Sequence, residues 1–440
     1  MNNYGNRFRE DGKSSFYVYL ELLEFKDSRE FRNHGFDEEG PYFAWKAILT
    51  AGLWRPAIMI SMQDMYSTMS ISTDGSRIGL LLWTVILSVP LFLFSCGNGS
   101  IAPAEGYQVI PAESPQPAGD RTLGIGITES EDGFGSSFNV ALQAGIQVIE
   151  LNIPWDSIEV SEGVYQDPMG GVFEAVGFFG CYGIDVMLSL AVVNTVHSTV
   201  PDYLSGSNWD SPEMIEAFNN LVDWVLSEIP SSVTVISLSI GNETDLFLSD
   251  VAWEDYIQFV ASTSDYIRSS YPNISLGVKN TVINGVLGGD LSHVQQVNQY
   301  TDVVMLTYYP QTSSFQVMDP EVVHSHLQLI EDSFPGREIW LNEVGYQSGS
   351  EYCGSSLSEQ AQFYHEFFMA WDDCRLNIKL VLIDWLHDIS GEQLDEMEEY
   401  YGISDPGFLE YLATLGLRYH DGTDKYAWPQ LLEETQARGW

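Results

Sequence analysis

From Arg121 onward, eight short apolar runs alternate with longer stretches that read as helices. The runs are Leu123–Thr128, Gln147–Ile153, Ile184–Val192, Val233–Ile240, Ser275–Val282, Asp302–Tyr308, Glu338–Leu341 and Lys379–Asp384. Runs of this length, rich in Val, Ile and Leu, suit parallel strands covered on both faces. Between two of them, Pro212–Ile229 carries Ile215, Phe218, Leu221, Val222, Val225 and Leu226. That three-and-four spacing gives a helix one apolar face. Trp253–Ser269 and Leu357–Trp371 repeat the pattern. Eight strand–helix units over about 300 residues predict a (β/α)8 TIM barrel. The competing architecture is a doubly wound open sheet, which usually has a glycine-rich phosphate turn after its first strand. Here Gly124-Ile-Gly126 lies within the first run and lacks the third glycine.

A barrel of this kind places its chemistry at the C-terminal ends of the strands. The second run is followed by Asn152 and Trp155, the third by Asn194 and His197, and the fourth by Asn242 and Glu243. The sixth ends in Tyr308-Tyr309-Pro310, the seventh leads into Asn342-Glu343, and the eighth into Asp384, Trp385 and His387. The two glutamates stand about three βα units apart at roughly 30 residues per unit. Amides and carboxylates bind hydroxyls, and aromatic faces stack on sugar rings, so the set reads as a carbohydrate-binding lining. Cleaving a glycosidic bond needs a neutral carboxyl to protonate the leaving oxygen and an ionised one to attack the anomeric carbon.

Each residue also has a plainer reading. A single strand-end glutamate is commonly a rim residue, but two, each preceded by Asn, point to a working pair. Tyr308 and Tyr309 alternate in direction along a strand, and Tyr308 is the one expected to face inward. Trp385 serves either as packing or as a subsite floor. His197 reads as a capping or a site residue, and Asp384 as a structural partner or a site residue. Cys181 is expected to be a buried free thiol.

Taken together and in order, these pieces resemble the clan A glycoside hydrolases over about residues 121–435. The resemblance is carried by Gly241-Asn242-Glu243, by Asn342-Glu343-Val-Gly-Tyr346 and by Trp155-Asp-Ser-Ile-Glu159-Val-Ser-Glu-Gly163-Val-Tyr165. Tyr308-Tyr309-Pro310 and the closing segment from Gly416 to Trp428 add to it. The Tyr-Tyr-Pro and Glu-Val-Gly-Tyr pieces are similar to those of endo-β-galactanases and related endo-glucanases. The resemblance implies retaining hydrolysis of a β-linked polysaccharide or oligosaccharide, with Glu243 as acid/base and Glu343 as nucleophile. It implies that Asn242 meets the 2-hydroxyl, that Tyr308 or Tyr309 donates to Glu343, and that Trp385 floors a subsite. Trp155, Asn194 and His197 complete the expected substrate lining, with no cofactor and no metal. One departure stands out: many clan members carry an arginine after the second strand, where this chain reads Glu150-Leu-Asn152-Ile-Pro154. Two other functions stay open. A non-catalytic, glycan-binding surface lipoprotein on the same barrel would be favoured by loss of either glutamate, and neither is lost. A metal-assisted barrel enzyme would need several carboxylate ligands and a lysine base, for which Lys279 and Lys379 are the candidates.

The chain has 440 residues, room for one large barrel plus extensions. Its apolar content of 45% excludes disorder over most of its length. The net charge is −44, with lysine only at Lys13, Lys26, Lys46, Lys279, Lys379 and Lys425. Such a chain repels nucleic acid and anionic membrane surfaces, and it fits solubility in high salt, where self-repulsion is screened. Without a D-x-D-x-D-G loop, calcium loading is the weaker explanation. No C-x-x-C occurs, which argues against zinc and thioredoxin chemistry. Cys353 and Cys374 could close a disulfide loop of about twenty residues.

The run Ile78–Phe94 follows Arg77 and leads into Ser95-Cys96. Its length, basic flank and small residues suggest an export signal, and Leu93-Phe94-Ser95-Cys96 resembles a lipoprotein box with Cys96 as the lipidated residue. A single membrane-spanning helix is the alternative, at the short limit of length. Starts at Met65 or Met69 would make the signal conventional. The expected plan is therefore an N-terminal extension (1–76) outside the mature protein, a signal (77–96), a flexible linker (97–120) and a catalytic domain (121–440). The mature protein is expected to be a monomer, lipid-anchored to the bacterial cell envelope and facing outward.

Overall fold

The computed structural model describes residues 107–440. The eight expected runs are eight parallel strands: β1 (Thr122–Ile125), β2 (Val148–Pro154), β3 (Asp185–Asn194), β4 (Val235–Asn242), β5, β6 (Val304–Tyr308), β7 (Ile339–Val344) and β8 (Ile378–Ile383). Strand β5 comes in two pieces, Ser275–Gly277 and Lys279–Thr281, on either side of Val278. The first piece pairs with β4 and the second with β6. Strand β1 pairs with both β2 and β8. The interrupted strand thus joins the two ends of the sheet, and the molecule is a (β/α)8 barrel.

A helix follows each strand, and local chemistry sets where several of them start. Ser211 accepts from the Met214 amide at the head of Pro212–Glu228, with proline in the first turn. Ser356 does the same for the Glu359 amide at the head of Leu357–Asp373. The apolar faces then close on the strands, with Phe218, Leu221 and Val225 buried from one helix and Phe363, Phe367 and Trp371 from the other.

Inside the barrel, Val148, Met187, Met305, Trp340, Leu380 and Leu382 form a separate apolar cluster. Strand alternation carries two of its rows upward, from Val148 to Glu150 and Asn152 and from Leu382 to Asp384. The rows thus turn from apolar to polar toward the C-terminal strand ends. The connection after β8 carries two extra helices, Gly391–Tyr401 and Pro406–Ala413, before the last barrel helix, Ala427–Arg438. Ser390 and Gln393 make a reciprocal capping box on the first and Asp405 caps the second. Ile389, Met397, Phe408 and Leu412 pack the pair together.

Three expectations are corrected. Residues 107–120 are not a free tether. The Tyr107 ring stacks on Tyr426 at 4.6 Å, the Ile110 amide donates to Gln430 at 2.8 Å and the Gln116 amide donates to Asp372 at 3.0 Å. Gln430 on the last barrel helix and Asp372 on the Leu357–Asp373 helix offer side-chain acceptors along this path, and the segment pairs with them. Cys353 and Cys374 are both free and buried. The Cys353 thiol donates to the Gly407 carbonyl, whereas Cys374 ends the Leu357–Asp373 helix, so different elements hold the two thiols. Cys181 is free but exposed, because it lies just past the end of the Val172–Gly180 helix. Cys96, the signal and the N-terminal extension lie outside the described residues. Among the described residues no helix is long and apolar enough to cross a membrane.

Candidate active site

At the C-terminal end of the barrel lies a cavity of about 480 Å³ whose lining includes Glu150, Glu243, Lys279, Glu343 and Asp384. The two glutamates arrive there by different backbone devices. Asn242 is the last residue of β4, and strand alternation alone would aim its neighbour away from the cavity. Glu243 instead adopts a left-handed conformation, φ 50° and ψ 47°, so both side chains reach the cavity. On β7 the register to β6 shifts: Leu341 pairs with Leu306, but Glu343 pairs with Thr307. The skipped residue, Asn342, is the extra residue of a bulge, a device that re-aims side chains. Asn342 accordingly donates inward to Glu150 at 3.4 Å, while Glu343 also lines the cavity.

The two carboxylates sit in contrasting surroundings. Glu243 receives two neutral hydroxyl donors, Thr307 at 2.7 Å and Thr195 at 3.1 Å. Burial, together with the charge of Glu343, pushes its pKa up to about 7. Glu343 receives the Lys279 ammonium on Oε1 at 3.0 Å and the Tyr309 hydroxyl on Oε2 at 2.9 Å. The same Tyr309 hydroxyl lies 3.0 Å from Asp384 Oδ2. Burial and the neighbouring Asp384 and Glu343 charges hold the phenol far above its usual range, so it remains a donor. Burial would lower the Lys279 pKa, but Glu150 and Glu343 outweigh it and keep the ammonium charged. The Asp384 carboxyl is pushed well up by burial and then by Glu343.

The amides form a shared cradle. Asn194 Oδ1 accepts from Asn152 at 3.0 Å and from Asn242 at 2.9 Å. The Oδ1 atoms of Asn152 and Asn242 have no protein partner among the described residues. Trp385 lines the cavity, and Tyr400, Tyr401 and Tyr411 reach it from the two extra helices.

Of the residues expected from sequence, Glu243, Glu343, Asn242, Asn194 and Trp385 meet in this cavity. Three do not. Tyr308 faces the helices, its hydroxyl 3.0 Å from His326 Nδ1 and its ring against Phe363. The inward phase on β6 runs Met305, Thr307, Tyr309, so Tyr309 takes the expected place. Trp155 is fully buried, edge-on to Phe218, with its indole N–H on Glu159 at 2.8 Å. Glu159 also accepts from Tyr203 at 2.6 Å and from the Gly163 amide at 2.9 Å. The Trp155–Gly163 segment is thus a clamp behind the site. His197 is exposed, on a two-residue strand that folds back on β3, with Nε2 2.8 Å from the Tyr400 carbonyl oxygen. From sequence alone Lys279 is only a candidate base for the metal-assisted alternative, and Glu150, Thr195 and Thr307 are assigned no site role. A readable signal existed for Lys279: a lysine inside an apolar run, in a chain with six lysines.

No family model matches the chain, and no curated protein matches its sequence. Solved structures do. A GH5_18 protein from Bifidobacterium longum subsp. infantis is 15% identical, with 72% of this chain and 79% of that chain covered and a TM-score of 0.56. A GH5_18 protein from Streptomyces cattleya in complex with GlcNAc is 15% identical, with 74% and 81% covered and a TM-score of 0.55. An exo-β-1,4-mannosidase from Opitutaceae bacterium strain TAV5 is 17% identical, with 72% and 59% covered and a TM-score of 0.56. The chain has their barrel fold. At these identities the likeness is one of architecture, and the chemistry is argued from the site itself.

Proposed function

We propose that the protein is a retaining β-glycoside hydrolase, with Glu243 as acid/base and Glu343 as nucleophile. The observation that carries this reading is the contrast between the two carboxyl groups. One, bonded by two neutral hydroxyls, is pushed up to about 7 by burial and by the charge of the other, and the other is bound by an ammonium and a phenol. A buried carboxyl facing hydroxyl donors beside one gripped by a cation and a phenol is the contrast that acid and nucleophile require. In the first step the Glu343 carboxylate attacks the anomeric carbon while Glu243 gives its proton to the departing glycosidic oxygen. In the second, Glu243 takes a proton from water, and that water's oxygen displaces Glu343 from the sugar. The free Oδ1 of Asn242 and of Asn152 would accept from sugar hydroxyls, and Trp385 would stack on a ring face.

The cavity also supports a class of substrate. Lys279 is the one Lys or Arg among its lining residues, and two carboxylates already hold it. Uronic acids and sulfated sugars would meet only more negative charge, so the glycan is a neutral one. The exo-β-1,4-mannosidase above makes β-mannosides the first compounds to try. The test is hydrolysis of a panel of β-mannosides, β-glucans, galactans and xylans, with proton NMR of the first product. Retained anomeric configuration is expected. An inverted product, or no hydrolysis across the panel, would remove the assignment. We also propose that the protein is exported and held at the cell envelope by lipid on Cys96, a reading supported by the apolar run and Leu93-Phe94-Ser95-Cys96.

A further inference from the structure

Lys279 is 1% exposed in the barrel interior. Its Nζ lies 3.0 Å from Glu150 Oε1 on β2 and 3.0 Å from Glu343 Oε1 on β7. A buried ammonium is costly unless it is paired, and Glu150 alone would pair it. The further contact falls on an oxygen of the carboxylate that the proposed mechanism uses for attack. Glu343 is thereby held at both ends, with Lys279 on Oε1 and Tyr309 on Oε2. Glu150 in turn accepts from Asn342, the residue beside Glu343 on β7. Strands β2, β5 and β7 are thus tied together through one cation.

We propose that Lys279, anchored by Glu150, is a positioning residue that orients Glu343 and supplies the positive charge beside its Oε1. This rests on the reading of Glu343 as nucleophile. The groups facing Glu343 are Glu150 from β2, Glu243 after β4, Lys279 from β5, Tyr309 after β6, Asp384 after β8, and Tyr401 and Tyr411 from the extra helices. Lys279 is the only cation in that ring. Without it, Glu150, Glu243, Glu343 and Asp384 repel one another with no compensation, and protons are bound at higher pH.

The test is the pH profile of kcat/KM for Lys279→Met, whose acidic limb reports ionisation of the attacking group in the free enzyme. That limb is expected to move up by about one to three pH units, the size of effect a close opposite charge exerts. At the pH optimum kcat should fall more than KM changes. Lys279→Met leaves Glu150 buried and unpaired, so Lys279→Met/Glu150→Gln is measured beside it, with circular dichroism to confirm folding. An acidic limb at the wild-type position in whichever of these variants folds would overturn the proposal. Glu343→Gln separates the two readings. If it keeps wild-type activity, the nucleophile assignment itself is lost; if it is inactive while the limb stays fixed, only the role of Lys279 is lost.

Discussion

Glu243 has its pKa pushed up to about 7 by burial and by Glu343, and at the residue scale this sets the sign of the pH response. As the proposed proton donor it would work only when protonated, so kcat/KM is expected to fall as pH rises through about 7. Glu243→Gln cannot give a proton, and general acid catalysis is typically worth about 10² to 10⁴ in rate. We expect a loss of that order on natural glycosides. Aryl glycosides with good leaving groups need no protonation, so the first step should survive on them, without the basic limb. Glu343→Gln should be inactive on both classes, because neither leaving group replaces the attacking atom. Steady-state and burst kinetics on the two substrates check this. A basic limb that persists in Glu243→Gln would mean that another group supplies the proton.

At the element scale, the site depends on how closely β1 approaches the end of β8. A Cβ on Gly126 would run into the Asp384 carboxylate, which shares the Tyr309 hydroxyl with Glu343. Gly126→Ala should therefore displace Asp384 and Tyr309 and disturb Glu343, although it adds one methyl group. Misplacement by about 1 Å can cost roughly 10²-fold in rate, and a drop in kcat toward that size is expected while circular dichroism stays native. Gly135, in the Phe134–Ala141 helix, has open space where its Cβ would go. Gly135→Ala should keep full activity and gain about 0.5–1 kcal/mol, the usual benefit of alanine in a helix. Equal activity of both variants would show that the Gly126 contact does not reach the site.

For the whole molecule, charge dominates, and among the described residues several of the few cations are paired inside. Arg121 and Arg438 meet buried Asp372, Lys425 meets Asp388 and Lys279 meets Glu150. With a net charge of −44, acids outside such pairs repel one another over about 30 Å at 0.01 M salt but only about 3 Å at 1 M. The melting temperature and activity are expected to rise markedly between about 0.05 M and 2 M sodium or potassium chloride, as screening removes that repulsion. Calorimetry across the series checks this, and a flat melting temperature would point to a cationic partner instead. Export is tested separately. Cys96→Ser should release the protein from the envelope or leave it unprocessed, and an unmodified N-terminus at residue 1 of the mature protein would contradict the anchor.

The eight apolar runs and the three-and-four spacing between them determined the barrel, because strand and helix periods are local and each run had to be covered on both faces. The order of strands then placed Asn242-Glu243 and Asn342-Glu343 at one end. Which neighbours face inward was decided elsewhere. A left-handed residue at Glu243 and a bulge at Asn342 override simple alternation, and neither is marked in the local sequence pattern. The choice of Tyr309 over Tyr308 follows from the phase set by Met305, which only the filled barrel interior fixes. Lys279 is the clearest case: along the chain it is one lysine in a strand. Its two partners lie 129 residues before and 64 residues after it, and closure of the sheet brings all three together.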